Sequence, residues 1–408
     1  MGRFQNKYVI GLTGNIATGK SIVRQMLQHL GAYTIDADSL AHQVMMPGAP
    51  AYKPVVATFG QFIVGQDGRI DRNILGKMVF GNPAALKKLE DITHPIIRQG
   101  IVALVTRAQQ RVIVIEAIKL LEGDLANMVD SVWVVDASPI TQYRRLIEKR
   151  KMSEADAKQR ILAQQAQAEK LKRANVIIKN DGSVEDTWKQ VQVAFNEVRK
   201  QLMSAAPAPA QPTASQAGAA PSAAQPATRP LEDPTPAEEV TTDVVGIVVK
   251  RGMPNNAADI AAFISQFRQQ PLTREDIMMA FGLKSFLIGQ TPDGKVISVV
   301  GWTVENLVTR IDEFYVSPQT PVKPIVKAMV SAVESASHEL QSEVSFYFLP
   351  NNAPAQLISA FQENGYSHIT VGEIKIPVWR EAVDETTRGK DYQVLWKQLR
   401  QDRVLQPI

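Results

Sequence analysis

The sequence predicts an α/β first domain, a P-loop kinase type of fold on a parallel sheet, tethered to a second, α+β domain. Three observations predict this division. Between residues 8 and 181, short apolar β-branched runs alternate with stretches at helical spacing, the pattern of strand–helix–strand crossovers. Residues 203–240 hold 8 of the 24 prolines and almost no large apolar side chain, so they read as a disordered linker. At 408 residues the chain also exceeds one ordinary hydrophobic core.

The first strand is YVIGLT (8–13), which runs into a glycine loop and then a helix over 21–31. Strands follow at 32–38, 111–118, 131–138 and 174–181, and the runs 111–118 and 131–138 are of the kind buried on both sheet faces. Domain 1–202 is therefore a parallel α/β unit with ligands expected at the strands' carboxyl ends. Beyond the linker, 241–408 reads as a strand (244–252), two helices (257–269 and 273–282) and a hairpin over 285–306 turning at Pro292-Asp293-Gly294. A strand (309–318), an amphipathic helix (324–340) and another strand (342–350) come next. A helix, an Asn-Gly turn and a strand close 355–369.

Composition narrows the function. No cysteine is present, which excludes disulfides, thiolate nucleophiles and cysteine metal sites and suits a cytoplasmic chain. The first residues lack the apolar core and cleavage site of a signal peptide, and no apolar run approaches a membrane span. Residues 1–202 carry a formal charge of +9 and the remainder −5. The basic residues are spread out without aromatic interleaving, so a phosphate-rich small molecule accounts for them. No nucleic acid or membrane partner is expected.

Gly14-Asn-Ile-Ala-Thr-Gly19-Lys20-Ser21 matches GxxxxGK[ST], between a strand and a helix. Glycines let successive backbone N–H groups turn inward around an anion, and the helix aims its positive end at the same place. Gly14, Ala17, Thr18, Gly19 and Ile22 are thus candidate nucleotide-binding residues. Lys20 would reach the β/γ-phosphates and the Ser21 hydroxyl would ligate Mg²⁺. ATP and Mg²⁺ are the implied co-substrate and metal.

Beyond the loop, TIDADSLAHQV (34–44), PGAPAY (47–52), FGQFIVGQDGRIDRNILGKMVFGNP (59–83), LEDITHPIIR (89–98), QYRRLIEKRKMSEADAKQRI (142–161) and NVIIKNDGS (175–183) occur in uninterrupted order. Together they resemble the dephospho-coenzyme A kinase family, over residues 7 to about 202. The resemblance implies phosphoryl transfer from ATP to the ribose 3′-hydroxyl of dephospho-CoA, the last step of CoA synthesis.

A secondary hydroxyl attacking a γ-phosphate must lose its proton, so a carboxylate within reach is needed. The resemblance makes Asp36 that base and Asp38 a neighbour; the other reading of Asp38 is a helix N-cap. It also places His94 and Arg98 in the acceptor-binding region, although a histidine at a helix end bonded to backbone is the plainer reading of His94. In the arginine-dense 142–161, Arg145, Arg150 and Arg160 are lid candidates, against a solvated helix face. Asn180, after the last strand, matches the loop near the adenine, against a tight turn.

Several positions depart from the family. Asn15 and Ala17 stand where glycine is usual, and Ala17 would be strained if the loop needs positive φ there. Ile22 replaces a common threonine. Across 115–124, Glu116 stands for the usual aspartate, a proline is missing and Lys119 is an added charge. This segment keeps open a P-loop kinase for another nucleotide or small alcohol, and a non-catalytic ATP-binding regulator is the alternative from a different class.

The second domain's order resembles a GNAT-type acetyltransferase. The segment QTPVKPIVKAM (319–329), where such a fold presents a glycine-rich pyrophosphate loop, has no glycine and two prolines, each removing a backbone donor. No acetyl transfer is expected from it, and Tyr366 reads as a core aromatic. A CoA or acyl-CoA ligand and a protein partner are its two candidate occupants.

Overall fold

The alternating runs of the first domain fold as expected; the computed structural model describes residues 4–162, 167–204, 240–244 and 246–404. In chain order the elements are β1 (Tyr8–Thr13), α1 (Lys20–His29), β2 (Tyr33–Asp36), α2 (Ala37–Gln43), α3 (Tyr52–Phe59), α4 (Arg72–Phe80) and α5 (Pro83–Arg107). Then come β3 (Val112–Glu116), β4 (Ser131–Asp136), α6 (Pro139–Glu148), α7 (Glu154–Leu162), α8 (Gln167–Lys172), β5 (Val176–Lys179) and α9 (Val184–Ser204). The five strands are all parallel in the order β2-β3-β1-β4-β5.

Strand alternation sorts the core onto two faces. Val9, Ile35, Ile113 and Ile115 pack with α2–α5, whereas Ile10, Leu12, Val114 and Trp133 pack with α1 and α9. Register then does the functional positioning. Leu12 of β1 and Asp36 of β2 both lie opposite Glu116 of β3, so three carboxyl ends finish at one level. The chain leaves β1 there as the glycine loop and leaves β2 as α2.

The second domain contains β6 (Val240–Val244), β7 (Ile247–Arg251), α10 (Ala257–Ser265), α11 (Arg274–Ala280), β8 (Ser285–Gln290), β9 (Val296–Glu305) and β10 (Val308–Val316). It continues with α12 (Val322–Glu339), β11 (Val344–Pro350), α13 (Ala355–Glu363), β12 (Ser367–His368), α14 (Pro377–Thr387) and β13 (Tyr392–Gln398). Its sheet runs β12-β13-β11-β10-β9-β8-β7-β6, antiparallel apart from the parallel pair β10–β11. Tyr366 is buried against Tyr347 and Phe361, a core aromatic as read from the sequence.

Three elements of the second domain go beyond the sequence reading: β6, of which only Val244 falls in an expected strand, α14 and β13. α14 and β13 had no local signature, and β13 inserts between β11 and β12 through pairing more than forty residues from β11. The body of the expected linker lies outside the described residues; Met203 and Ser204 complete α9, and Val240 begins β6.

A long tether left the two domains free to stand apart, yet they pack together. Gln25 of α1 donates to Ser285 at 3.2 Å, and the Gln341 side chain donates to the Leu104 carbonyl at 3.1 Å. Arg274 pairs with Glu185 of α9. Leu307 belongs to the hydrophobic cluster of the first domain, with Leu40 and Leu104.

Candidate active site

The glycine loop is held from behind by backbone-directed side chains. Gly19 has φ 97°, and a Cβ there would sit 2.0 Å from Asn180 Nδ2, so only glycine fits. Asn180 donates to the Thr18 carbonyl at 2.7 Å and accepts from Thr187 Oγ1 at 2.9 Å. Arg145 on α6 donates to the carbonyls of Ala17, Thr18 and Asn180. Arg145 and Asn180 therefore brace the loop through its carbonyls. Ala17 adopts φ 57°, so the loop does require a left-handed residue there and alanine fills the place under strain. Asn15 is not among the positive-φ residues, and its N–H donates to Gln167 Oε1 at 3.1 Å.

Lys20 opens α1, buried, with Nζ donating to the carbonyls of Gly14 and Asn15 at 3.0 and 3.2 Å. Burial lowers its pKa, while Glu116 and Asp38 pull it back up. Ser21 Oγ donates to Glu116 Oε1 at 3.4 Å, and Glu116 Oε2 accepts from Arg24 Nε at 2.7 Å. Burial pushes the Glu116 carboxyl up and Arg24 draws it down. Lys119, the added charge, pairs with Glu90 of α5 at 3.6 Å.

Asp36 ends β2 and caps α2, its Oδ1 accepting from Ser39 N–H at 2.8 Å. The cap expected of Asp38 is thus made by Asp36. Asp38 sits in the first helical turn, accepts from the Ile118 N–H at 3.1 Å, and has its pKa raised by burial. Asp36 can cap the helix and face the cleft because a carboxylate has several lone pairs.

Lys20, Ser21, Asp36, Asp38, Glu116 and Arg150 line one cleft of about 400 Å³. Arg150 is exposed at its rim, within electrostatic range of Lys20. Arg160 is exposed on α7, and His94 and Arg98 are exposed on α5; none of these three is among the cleft's lining residues. Among the described residues no group of three His, Cys, Asp or Glu side chains is placed to hold a metal.

Three residues escaped the sequence reading. Arg24 was hidden among polar residues of a helix whose period shows only its apolar face. Gln167 clasps the loop at Asn15 and also donates to the Val135 carbonyl at 3.0 Å. Lys170, in a charged run that reads as solvated, is buried and donates to the Ile118 carbonyl at 3.0 Å.

A family model described as dephospho-CoA kinase matches residues 8–186. The sequence is 43% identical to dephospho-CoA kinase of Shouchella clausii (strain KSM-K16) over 189 residues, 46% of this chain and 96% of that protein. The chain belongs to the dephospho-CoA kinase family. A solved dephospho-CoA kinase from Campylobacter jejuni is 31% identical, covering 48% of this chain and 98% of that one, with a TM-score of 0.36. A solved GNAT-family acetyltransferase from Staphylococcus aureus Mu50 is 12% identical, covering 38% of this chain and 99% of that one, with a TM-score of 0.30. No helix among the described residues is long and apolar enough to cross a membrane.

Proposed function

We propose that the first domain phosphorylates the ribose 3′-hydroxyl of dephospho-CoA from ATP, with Asp36 as the proton acceptor. The convergence of Lys20, Ser21, Asp36 and Glu116 in one cleft, inside a domain of this family, carries the reading. The acceptor oxygen forms the new P–O bond, the bond to the ADP oxygen breaks, and the hydroxyl proton passes to Asp36. Lys20 and the loop amides hold the phosphates; an anion beside Lys20 opposes the burial that lowers its pKa. Arg150 at the rim suits charge stabilisation, and Arg145 contributes by fixing the loop.

Ser21 and Glu116 offer hard oxygen donors and fit Mg²⁺, which keeps few protein ligands and shares phosphate oxygens. When bound it would neutralise charge on the transferred group. Roles for His94, Arg98 and Arg160 require these exposed groups to meet the ligands at the mouth of the site. The second domain is assigned no acetyl transfer, since Pro321 and Pro324 occupy the entry to α12. A cytoplasmic setting suits a cysteine-free chain.

The test is coupled ADP release by the full chain with ATP, Mg²⁺ and dephospho-CoA, beside Asp36→Asn. Acceptor-dependent turnover that falls by about 10²–10⁴ in the variant is expected for loss of a general base. Undiminished turnover in Asp36→Asn would remove the base from the reading, and absence of any acceptor-dependent turnover would remove the acceptor.

A further inference from the structure

The turn between β9 and β10 is strained, and it reaches across to the other domain. Asn306 and Leu307 both have positive φ, 56° and 63°. Asparagine tolerates that region, but for leucine it costs roughly 1–2 kcal/mol, and such strain persists only where surroundings hold it. Here they do. The Leu307 carbonyl accepts from the Glu343 N–H at 2.7 Å and from Ser342 Oγ at 3.0 Å. Its side chain is buried in the first domain's hydrophobic cluster.

The two residues beside that anchor each meet a neighbour of a cleft carboxylate. Asn306 Oδ1 accepts from Ser39 Oγ at 2.5 Å, and Ser39 is the residue whose N–H the Asp36 carboxylate caps. Glu305 Oε1 lies 3.9 Å from the Arg24 guanidinium, which holds Glu116. Glu305 and Asn306 also form part of the cleft wall facing Lys20 and Asp36. A single turn from outside the kinase domain thus touches the supports of both carboxylates.

We propose that the turn Glu305–Leu307 of the second domain is a positioning element of the kinase site, with Asn306 aligning Asp36 through Ser39. This rests on the assignment of Asp36 as base. Asn306 is a positioning residue and touches neither reactant in this role. Two bonds in series, Asn306 to Ser39 and Ser39 to Asp36, fix the start of α2. Without the first, the helix start regains freedom relative to the glycine loop, and small misplacements of a reacting group are heavily penalised.

The experiment uses the full chain with Asn306→Ala, Ser39→Ala, the double variant, Asn306→Asp and Asp36→Asn. Expected for Asn306→Ala is a roughly 10-fold fall in kcat with KM for ATP within about 2-fold, in a folded protein whose melting temperature drops only by the few degrees that alanine strained at φ 56° accounts for. The double variant should be no slower than the slower single variant, because both remove one link. Asn306→Asp keeps the acceptor oxygen and should retain turnover. Wild-type kcat in a folded Asn306→Ala, or additive losses in the double variant, would overturn the proposal. Should Asn306→Ala not fold, Ser39→Ala decides alone: wild-type kcat overturns it and a matching fall supports it. Asp36→Asn separates the two ideas. Turnover surviving in that variant disposes of the base, whereas an inactive Asp36→Asn beside a fully active Asn306→Ala disposes only of the turn.

Discussion

Arg24 Nε lies 2.7 Å from Glu116 Oε2, a buried ion pair that ties the helix after the glycine loop to the end of β3. Each partner is nearly out of solvent, so each charge is offset mainly by the other. Replacing Arg24 by methionine removes the bonded cation from a buried carboxylate, leaving it only Lys20 and Ser21, and should destabilise the first domain by up to about 3–5 kcal/mol. Urea unfolding of the full chain, followed by Trp fluorescence, measures it. Replacing Arg24 and Glu116 together by apolar residues should cost less than Arg24→Met alone.

Gly19→Ala should abolish nucleotide binding while leaving the fold intact. The added methyl meets Asn180 Nδ2, which must release Thr18, and φ 97° is unfavourable for alanine. Equilibrium titration with a fluorescent ATP analogue should show affinity lost. Dephospho-CoA binding, measured by calorimetry, should stay within a few-fold of wild type.

Ala17→Gly should act in the opposite sense. Alanine at φ 57° carries a strain that glycine lacks, so the substitution should raise stability by about 1 kcal/mol, less the methyl contact with the cluster around Leu146. Thermal melting without nucleotide is the measurement. A lower melting temperature would mean that the packing outweighs the strain.

His29 links stability to pH at the domain interface. Burial holds its pKa down at about 4, opposed by its bond to the Phe281 carbonyl at 3.2 Å. Between about 6.5 and about 4 the unfolded chain takes a proton that the folded chain refuses. The contribution is therefore intact above the unfolded value and falls as pH drops through that window, by up to ~3 kcal/mol. His29→Gln should flatten the pH dependence of the unfolding midpoint over this range.

Legibility in the sequence followed the range of the interaction. The glycine loop, Lys20 and the five strands of the first domain rest on spacing within a few residues, and all are where the pattern puts them, whereas the role of Asp36 came from the resemblance to the family. Glu116 was singled out by the resemblance, as standing for the family's usual aspartate, and register with Asp36 brings it to the cleft. Asn306 had no such signal. Its partner Ser39 is 267 residues away, and the turn carries leucine where glycine would have marked a hairpin. Lys170 and Gln167 were lost in a polar stretch because burial by distant backbone leaves no local period. Ile22, a departure from the family, has a reason visible only in three dimensions: a Cβ on Gly282 of the second domain would lie 3.0 Å from its Cγ2.

The contact between Ile22 and Gly282 has a bearing on how the chain is made. The first domain is complete at Ser204, and Gly282 is translated later. At ~5–20 residues per second, the 78 residues from 205 to Gly282 take roughly 4–16 s, and the remaining strands take longer. During that interval Ile22 and the interface side of His29 are bare, as is the patch that later receives Leu307. A nascent kinase domain therefore waits with an unfinished surface, and slowed synthesis beyond residue 204 should favour capture by chaperones or self-association over docking.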